Sequence, residues 1–142
     1  MEIKGIDDPN RVVFMGNSIT EGWLYFNKSF FIENPFINRG IGGQTTPQML
    51  IRFKPDVVNL NPKAVVILAG INDIAGNTGP VTIENIAENI FSMAEIALAN
   101  NIDVFFCSVL PAADFTWSPG KNPAEKVIKL NSLLKDYCNK NK

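Results

Sequence analysis

No histidine occurs anywhere in the 142 residues. That absence removes the side chain most often used as a general base and as a ligand for zinc or non-haem iron. Cysteine is scarce as well. Cys107 and Cys138 lie far apart without C-x-x-C spacing, so they read as two buried thiols, and no metal site or redox pair is expected. No apolar run approaches the length of a membrane span, and there is no block of like charge. With a net charge of −1 and no basic stripe, nothing draws the chain to nucleic acid or to an anionic membrane surface. The opening "MEIKGIDDPN" lacks the charged-then-apolar order of a secretory signal, so no signal peptide is visible. On its face the chain is cytoplasmic; a mature secreted or periplasmic form with a cloned start methionine stays open.

What is present is the material of one globular domain over residues 1–142. Hydrophobic residues make up 46% and charged residues 19%, enough apolar matter to bury a core. "RVVFM" (11–15) is a short β-branched run ending at Gly16 and reads as a buried strand. Residues 21–31 are aromatic-rich and read as mostly helical. A brief strand is expected at 36–38. Thr46 followed by Pro47 suits an N-cap and first helical position, for a helix over 47–53 with another turn over 56–60. "AVVILA" (64–69) is the clearest buried strand. Thr82 caps a long helix over 83–100, in which Ile86, Ile90, Met93, Ala94 and Ala97 make one apolar face. "DVFFCS" (103–108) is a fourth strand. A last helix over 123–139 turns Val127, Leu130, Leu134 and Cys138 inward.

Strands alternating with helices predict a parallel sheet with right-handed crossovers and helices on both faces. Ligands bind such sheets at the carboxyl ends of the strands, so the segments that follow each strand should carry the chemistry. In the first, "GNSITEG", Ser18 sits near a helix N-terminus, where its hydroxyl could attack a carbonyl while its own N–H faces the developing oxyanion. A serine that merely caps the helix fits that segment taken alone. The spacing is not the G-x-S-x-G elbow of α/β-hydrolases. In the second, "RGIGGQTT", the Gly43 N–H is a candidate second oxyanion donor; a tight turn is the plainer account. In the third, "GINDIAGN", the Asn72 amide can donate two hydrogen bonds and cannot lose its proton, which suits a third oxyanion donor. One such donor can be worth about 3–4 kcal/mol. Asp73 either braces that segment or contacts substrate.

Taken together, "FMGNSITEGW", "NRGIGGQTT" and "LAGINDIAGN" resemble, in order and spacing, the first three sequence blocks of the GDSL-type esterases, the SGNH hydrolase superfamily. The resemblance implies Ser18 as nucleophile, with Asn17 where aspartate is usual, and an oxyanion hole of Ser18, Gly43 and Asn72. It implies a three-layer α/β/α sandwich with a flavodoxin-like parallel sheet, and no metal or organic cofactor. The family's last block, Asp-x-x-His, supplies the base and the carboxylate that orients it. Nothing in this chain matches that block, so the chain is expected to lack the last strand and helix of the fold and to be nearly inactive alone. An outer strand would then be left open, inviting self-association.

The nearest likeness is to the acetylhydrolase-like branch, which implies short acyl groups on carbohydrate or other small molecules as substrate. Trp23, Tyr25, Phe26, Phe115 and Trp117 are candidate pocket walls, although core packing suits each of them as well. Two other readings stay open. One is a non-catalytic binder of carbohydrate or acyl groups that has lost its base. The other is a flavodoxin-like binder that shares only the topology.

Overall fold

The computed structural model describes residues 8–141, so the first seven residues of the polar opening lie outside the described residues. The order of elements is β1 (Val12–Gly16), α1 (Ser18–Phe26), α2 (Lys28–Ile32), β2 (Phe36–Gly40), α3 (Thr46–Asp56), a 3-10 turn (Val58–Leu60), β3 (Ala64–Leu68), α4 (Ile71–Ile74), α5 (Ile83–Ala99), β4 (Asp103–Phe106) and α6 (Pro123–Lys140). The four strands form one parallel sheet in the order β2-β1-β3-β4.

Alternation along the strands sorts the two faces. Val13, Met15, Val65 and Ile67 are at most 1% exposed and point to one face. There they meet Met49 and Phe53 of α3, Ile86, Ile90 and Met93 of α5, and Leu130 and Leu134 of α6 in a single core. Phe14 points to the other face, into an aromatic cluster. Its ring lies edge-on to Trp23, Phe30 and Phe31, with centroids 5.5 to 5.8 Å apart. This makes the three-layer arrangement. Phe14, Val66 and Phe105 stand abreast on the α1 side through the ladder. Phe14 is 9% exposed and Phe105 58%, so the covering layer of α1 and α2 thins out toward β4.

Several local expectations are corrected. The helical stretch expected over 21–31 begins at Ser18 and is broken at Asn27. The Asn27 backbone leaves helical geometry, with φ −142° and ψ 70°, and its side chain accepts the Phe30 N–H to start α2. Thr45 is the cap of α3, and Thr46 is its first helical residue. Gln48 closes the capping box by accepting the Thr45 N–H at 3.0 Å. Asn72 sits on a short helical turn, α4, directly after the third strand, where no helix was expected. Neither cysteine is a buried thiol: Cys107 is half-buried and Cys138 is exposed. On α6 the inner row runs Leu130, Leu134, Tyr137, because Tyr137 stacks on Phe91 with centroids 4.1 Å apart and turns Cys138 to solvent. Burial raises the Cys107 thiol above its ordinary range.

Candidate active site

Ser18 is the first residue of α1, and it is exposed. Asn17, not the serine, caps the helix: its side-chain oxygen accepts the Ile19 N–H at 3.0 Å. The cap role is thus filled by a neighbour, and the Ser18 hydroxyl stands at the helix N-terminus, where the peptide dipoles favour negative charge. The first turn of α1 is pressed against the end of β2. A Cβ on Gly40 would lie 2.1 Å from the Glu21 nitrogen, so only glycine fits there.

That close approach carries the glycine-rich segment to the serine. The position a Cβ would take on Gly42 is 3.8 Å from the Ser18 Cβ. Gly43 follows with φ +74°, a left-handed conformation that glycine adopts without strain. Two side chains from the third segment hold this turn. The Asn77 amide donates to the Gly43 carbonyl at 3.0 Å, and the Asn72 amide donates to the Gln44 carbonyl at 3.0 Å. Asn72 is only 4% exposed. The bond to Gln44 uses one N–H of its amide, which has two. Ser18, Gly43 and Asn72 are therefore linked through Gly42 and Gln44 at the carboxyl ends of β1, β2 and β3.

Asp73 is 3% exposed and faces away from solvent. Its two carboxylate oxygens each accept the Thr46 N–H at 3.0 Å, and one accepts the Thr46 hydroxyl at 2.6 Å. The Asn89 amide donates to the same hydroxyl at 3.1 Å. Asp73 thus braces the start of α3. Burial raises its carboxyl above the ordinary value, and the Thr46 hydrogen bonds pull it part of the way back.

The aromatic candidates are scattered. Trp23 stacks on Phe30 at 4.6 Å within the cluster under α1 and α2. Tyr25 and Phe26 are 78% and 93% exposed. Phe115 is 2% exposed and belongs to the core, with Trp117, 60% exposed, leaning on it at 5.0 Å. Next to the serine loop lies a recess of about 20 Å³, lined by Asn17, Ile19, Leu68, Ala69, Ile71, Val109 and Leu110. A cavity of about 540 Å³ runs instead along the outer side of β2 past Leu24, Phe31 and Ile37. Among the described residues, no three Cys, Asp or Glu side chains gather as for a metal ion. No helix among them is long and apolar enough to cross a membrane.

Sequence reasoning missed Glu21, Asn77 and Arg52. Glu21 lies one turn after Ser18, and its carboxylate covers Gly42. Arg52 donates to Gln44, Arg39, Gly16 and Asp56. Glu21 and Asn77 lie inside "GNSITEG" and "GINDIAGN", but nothing in the linear pattern gives their contacts, and nothing marks Arg52 at all, because each acts across segments that only the fold brings together.

A parallel sheet with helices on both faces and these three segments at its strand ends is the fold of the SGNH-type hydrolases. The chain belongs to the GDSL-like lipase/acylhydrolase family, whose model matches residues 14–142. That is a family of ester hydrolases. A Bacteroides thetaiotaomicron VPI-5482 protein solved as a GDSL-like lipase is 50% identical, with a TM-score of 0.92; the match covers 94% of this chain and 65% of that one. A Bacteroides fragilis NCTC 9343 protein assigned as an acylhydrolase is 51% identical, also with a TM-score of 0.92, over 95% of this chain and 65% of its own. The uncharacterized lipoprotein YqeF of Bacillus subtilis (strain 168) is 35% identical over 88 residues, 52% of this chain and 35% of its own. The chain thus spans about two thirds of the length of the two Bacteroides structures.

Proposed function

We propose that Ser18 is the nucleophile of a carboxylic ester hydrolase, with the N–H groups of Ser18 and Gly43 and the Asn72 amide as its oxyanion hole. Family membership supports the reaction class. The observation that carries the assignment of residues is the Asn72–Gln44 hydrogen bond, which ties the third segment to the glycine turn beside Ser18. In the reaction the Ser18 oxygen adds to the ester carbonyl carbon, and the carbonyl oxygen takes up negative charge facing the three donors. Collapse breaks the ester C–O bond and releases the alcohol, which takes the proton lost by Ser18. Water then cleaves the acyl-serine.

That proton needs a carrier. The chain has no histidine, so a histidine base has to come from outside residues 1–142. A lysine could also act as base; Lys28, the nearest in sequence to Ser18, heads α2 and lines the cavity beside β2, not the recess next to the serine loop. Loss of an essential triad member costs about 10⁴–10⁶ in turnover and leaves oxyanion and binding effects. The 142-residue chain is therefore expected to be nearly inactive by itself. The likeness to the acetylhydrolase-like branch favours a short acyl group, such as acetyl, on carbohydrate or another small molecule, and the small size of the recess between Asn17 and Ile19 is in keeping with it.

The test is slow labelling of the 142-residue chain with a fluorophosphonate at alkaline pH, mapped by mass spectrometry. The expected adduct is on Ser18 and disappears in Ser18→Ala. An adduct on other serines only, or none, overturns the assignment. Rapid Ser18-dependent hydrolysis of 4-nitrophenyl acetate overturns the statement that the base is missing. The lack of histidine also supports a non-catalytic binder of carbohydrate or acyl groups, for which binding without any Ser18 adduct is the expected result.

A further inference from the structure

Arg52 stands in the middle of α3, and its side chain is 13% exposed. Its guanidinium makes four hydrogen bonds to four residues. Nε donates to the Gln44 side-chain oxygen at 2.6 Å, and one terminal nitrogen donates to the Arg39 carbonyl at 2.9 Å and to Asp56 at 2.7 Å. The other terminal nitrogen donates to the Gly16 carbonyl at 3.2 Å. Three of these acceptors, Gly16, Arg39 and Gln44, belong to the end of β1, the end of β2 and the glycine turn; the fourth, Asp56, is on α3 itself. Gly16 lies two residues before Ser18, and Gln44 directly follows Gly43. The Gly16 carbonyl also accepts the Ile41 N–H at 3.1 Å, so it is the point where the serine segment and the glycine turn share a bond.

We infer that Arg52 is a positioning residue: through Gly16 and Gln44 it holds the serine segment and the oxyanion turn in fixed register. The inference rests on the reading of Ser18, Gly43 and Asn72 as the site. The planar fork is what the position requires. A guanidinium offers five N–H donors in fixed directions, whereas an ammonium is a point charge with three rotatable ones and cannot reach acceptors on opposite sides at once. Asp56 lies on the same helix as Arg52, so it pre-aims the guanidinium toward the strand ends without touching the site.

The experiment compares wild type with Arg52→Met and Arg52→Lys by backbone amide hydrogen exchange and by the rate of Ser18 phosphonylation. Exchange at Ile41, and the Asn72 side-chain amide signal, report on the turn; exchange at Ile90 and Met93 in α5 reports on global opening. The expected result is faster exchange at Ile41 in both variants, with α5 unchanged, and Ser18 labelling slower by about 10²-fold. Lysine failing to rescue shows that geometry, not charge, is at work. Uniformly faster exchange that includes α5, or no change at Ile41, overturns the inference. Should Arg52→Met not fold, Gln44→Met removes one acceptor while keeping the arginine, and the same two sites are read. If wild-type Ser18 is never labelled, the assignment of the nucleophile fails, while the exchange measurements still decide whether Arg52 holds the two segments.

Discussion

The Asn72 side chain donates a hydrogen bond to the carbonyl of Gln44, a residue 28 positions earlier, at 3.0 Å. One N–H of this amide helps to hold the glycine turn, and in the proposed mechanism the other serves the oxyanion. Asn72→Ala removes both roles, and its expected effect is a fall of about 10²–10³ in the rate at which Ser18 reacts with an acylating or phosphonylating probe. Asn72→Asp should be at least as slow, because an acceptor then faces both the Gln44 carbonyl and the developing negative charge. Labelling kinetics on the folded variants check this. A rate within twofold of wild type would remove Asn72 from the oxyanion hole.

Asn17 offers a stabilising substitution. It is 1% exposed, and its oxygen caps α1, yet its amide nitrogen is buried with no hydrogen-bond partner. A buried donor left unmade costs about 1–3 kcal/mol. Asn17→Asp removes that donor and places negative charge at a helix N-terminus, where it is favoured. The expected gain is about 1 kcal/mol at neutral pH, after the cost of burying the charge, with the gain disappearing in acid. Urea unfolding at two pH values measures it, and a loss of stability at neutral pH counts against the account.

Gly40→Ala is expected to be severe. The added methyl, fixed directly to the main chain of β2, would sit 2.1 Å from the main-chain nitrogen of Glu21, so neither side can swing aside. Overpacking of a core costs about 1–3 kcal/mol, occasionally more, and a clash between main chains belongs at or above the upper end. A drop of less than 1 kcal/mol in unfolding free energy, relative to about 3 expected, would show that α1 can move off the sheet.

The sheet and its strand ends were legible because their signals are local. "AVVILA" and "RVVFM" are β-branched runs of strand length, and both became strands within one residue of expectation. The Thr82 cap and the apolar spacing of α5 were equally plain, and Thr82 accepts the Asn85 N–H as a cap should. Boundaries failed where two local options were nearly equal. Thr45 and Thr46 are both good caps, and the choice fell to Gln48, which can reach back only to Thr45. Cys138 and Tyr137 compete for the inner face of α6, and the stacking of Tyr137 on Phe91 decides between them. The ties that hold the site were not legible at all. Arg52 to Gly16 spans 36 residues, and Thr46 to Asp73 spans 27. No periodicity or spacing encodes such pairs.

Asp73 sets a pH dependence with a definite sign. Its carboxyl titrates above the ordinary 3.8, chiefly because burial penalises the charge. A carboxyl raised on folding contributes stability fully below its unfolded pKa and loses that contribution as pH rises through the folded value. Asp73→Asn keeps an acceptor for the Thr46 N–H and offers a donor to its hydroxyl, and it never ionises. The stability of wild type relative to Asp73→Asn is thus expected to fall as pH is raised from below 3.8 through the elevated pKa, and to level off above it. Chemical denaturation of the two proteins across that window checks the sign. A difference that grows in favour of wild type with rising pH would mean that the Thr46 hydrogen bonds outweigh burial.

Self-association is the last expectation, and the sheet now says where to look for it. Among the described residues β4 pairs only with β3, which leaves its outer side as a strand edge. On its α1-side face, Phe105 stands beside Val66 with 58% of its surface exposed, beyond the reach of α1 and α2. An unpaired edge next to an exposed aromatic is the arrangement that recruits another strand or another copy. Burying a phenylalanine contributes about 1.5–3 kcal/mol, which corresponds to roughly tenfold to hundredfold in a dissociation constant. Phe105→Asp is therefore expected to weaken self-association by that factor and also to place a charge at the edge. Sedimentation velocity over a range of concentrations measures both proteins. A wild-type chain that stays monomeric throughout would show that the edge and Phe105 together are too weak to recruit a copy.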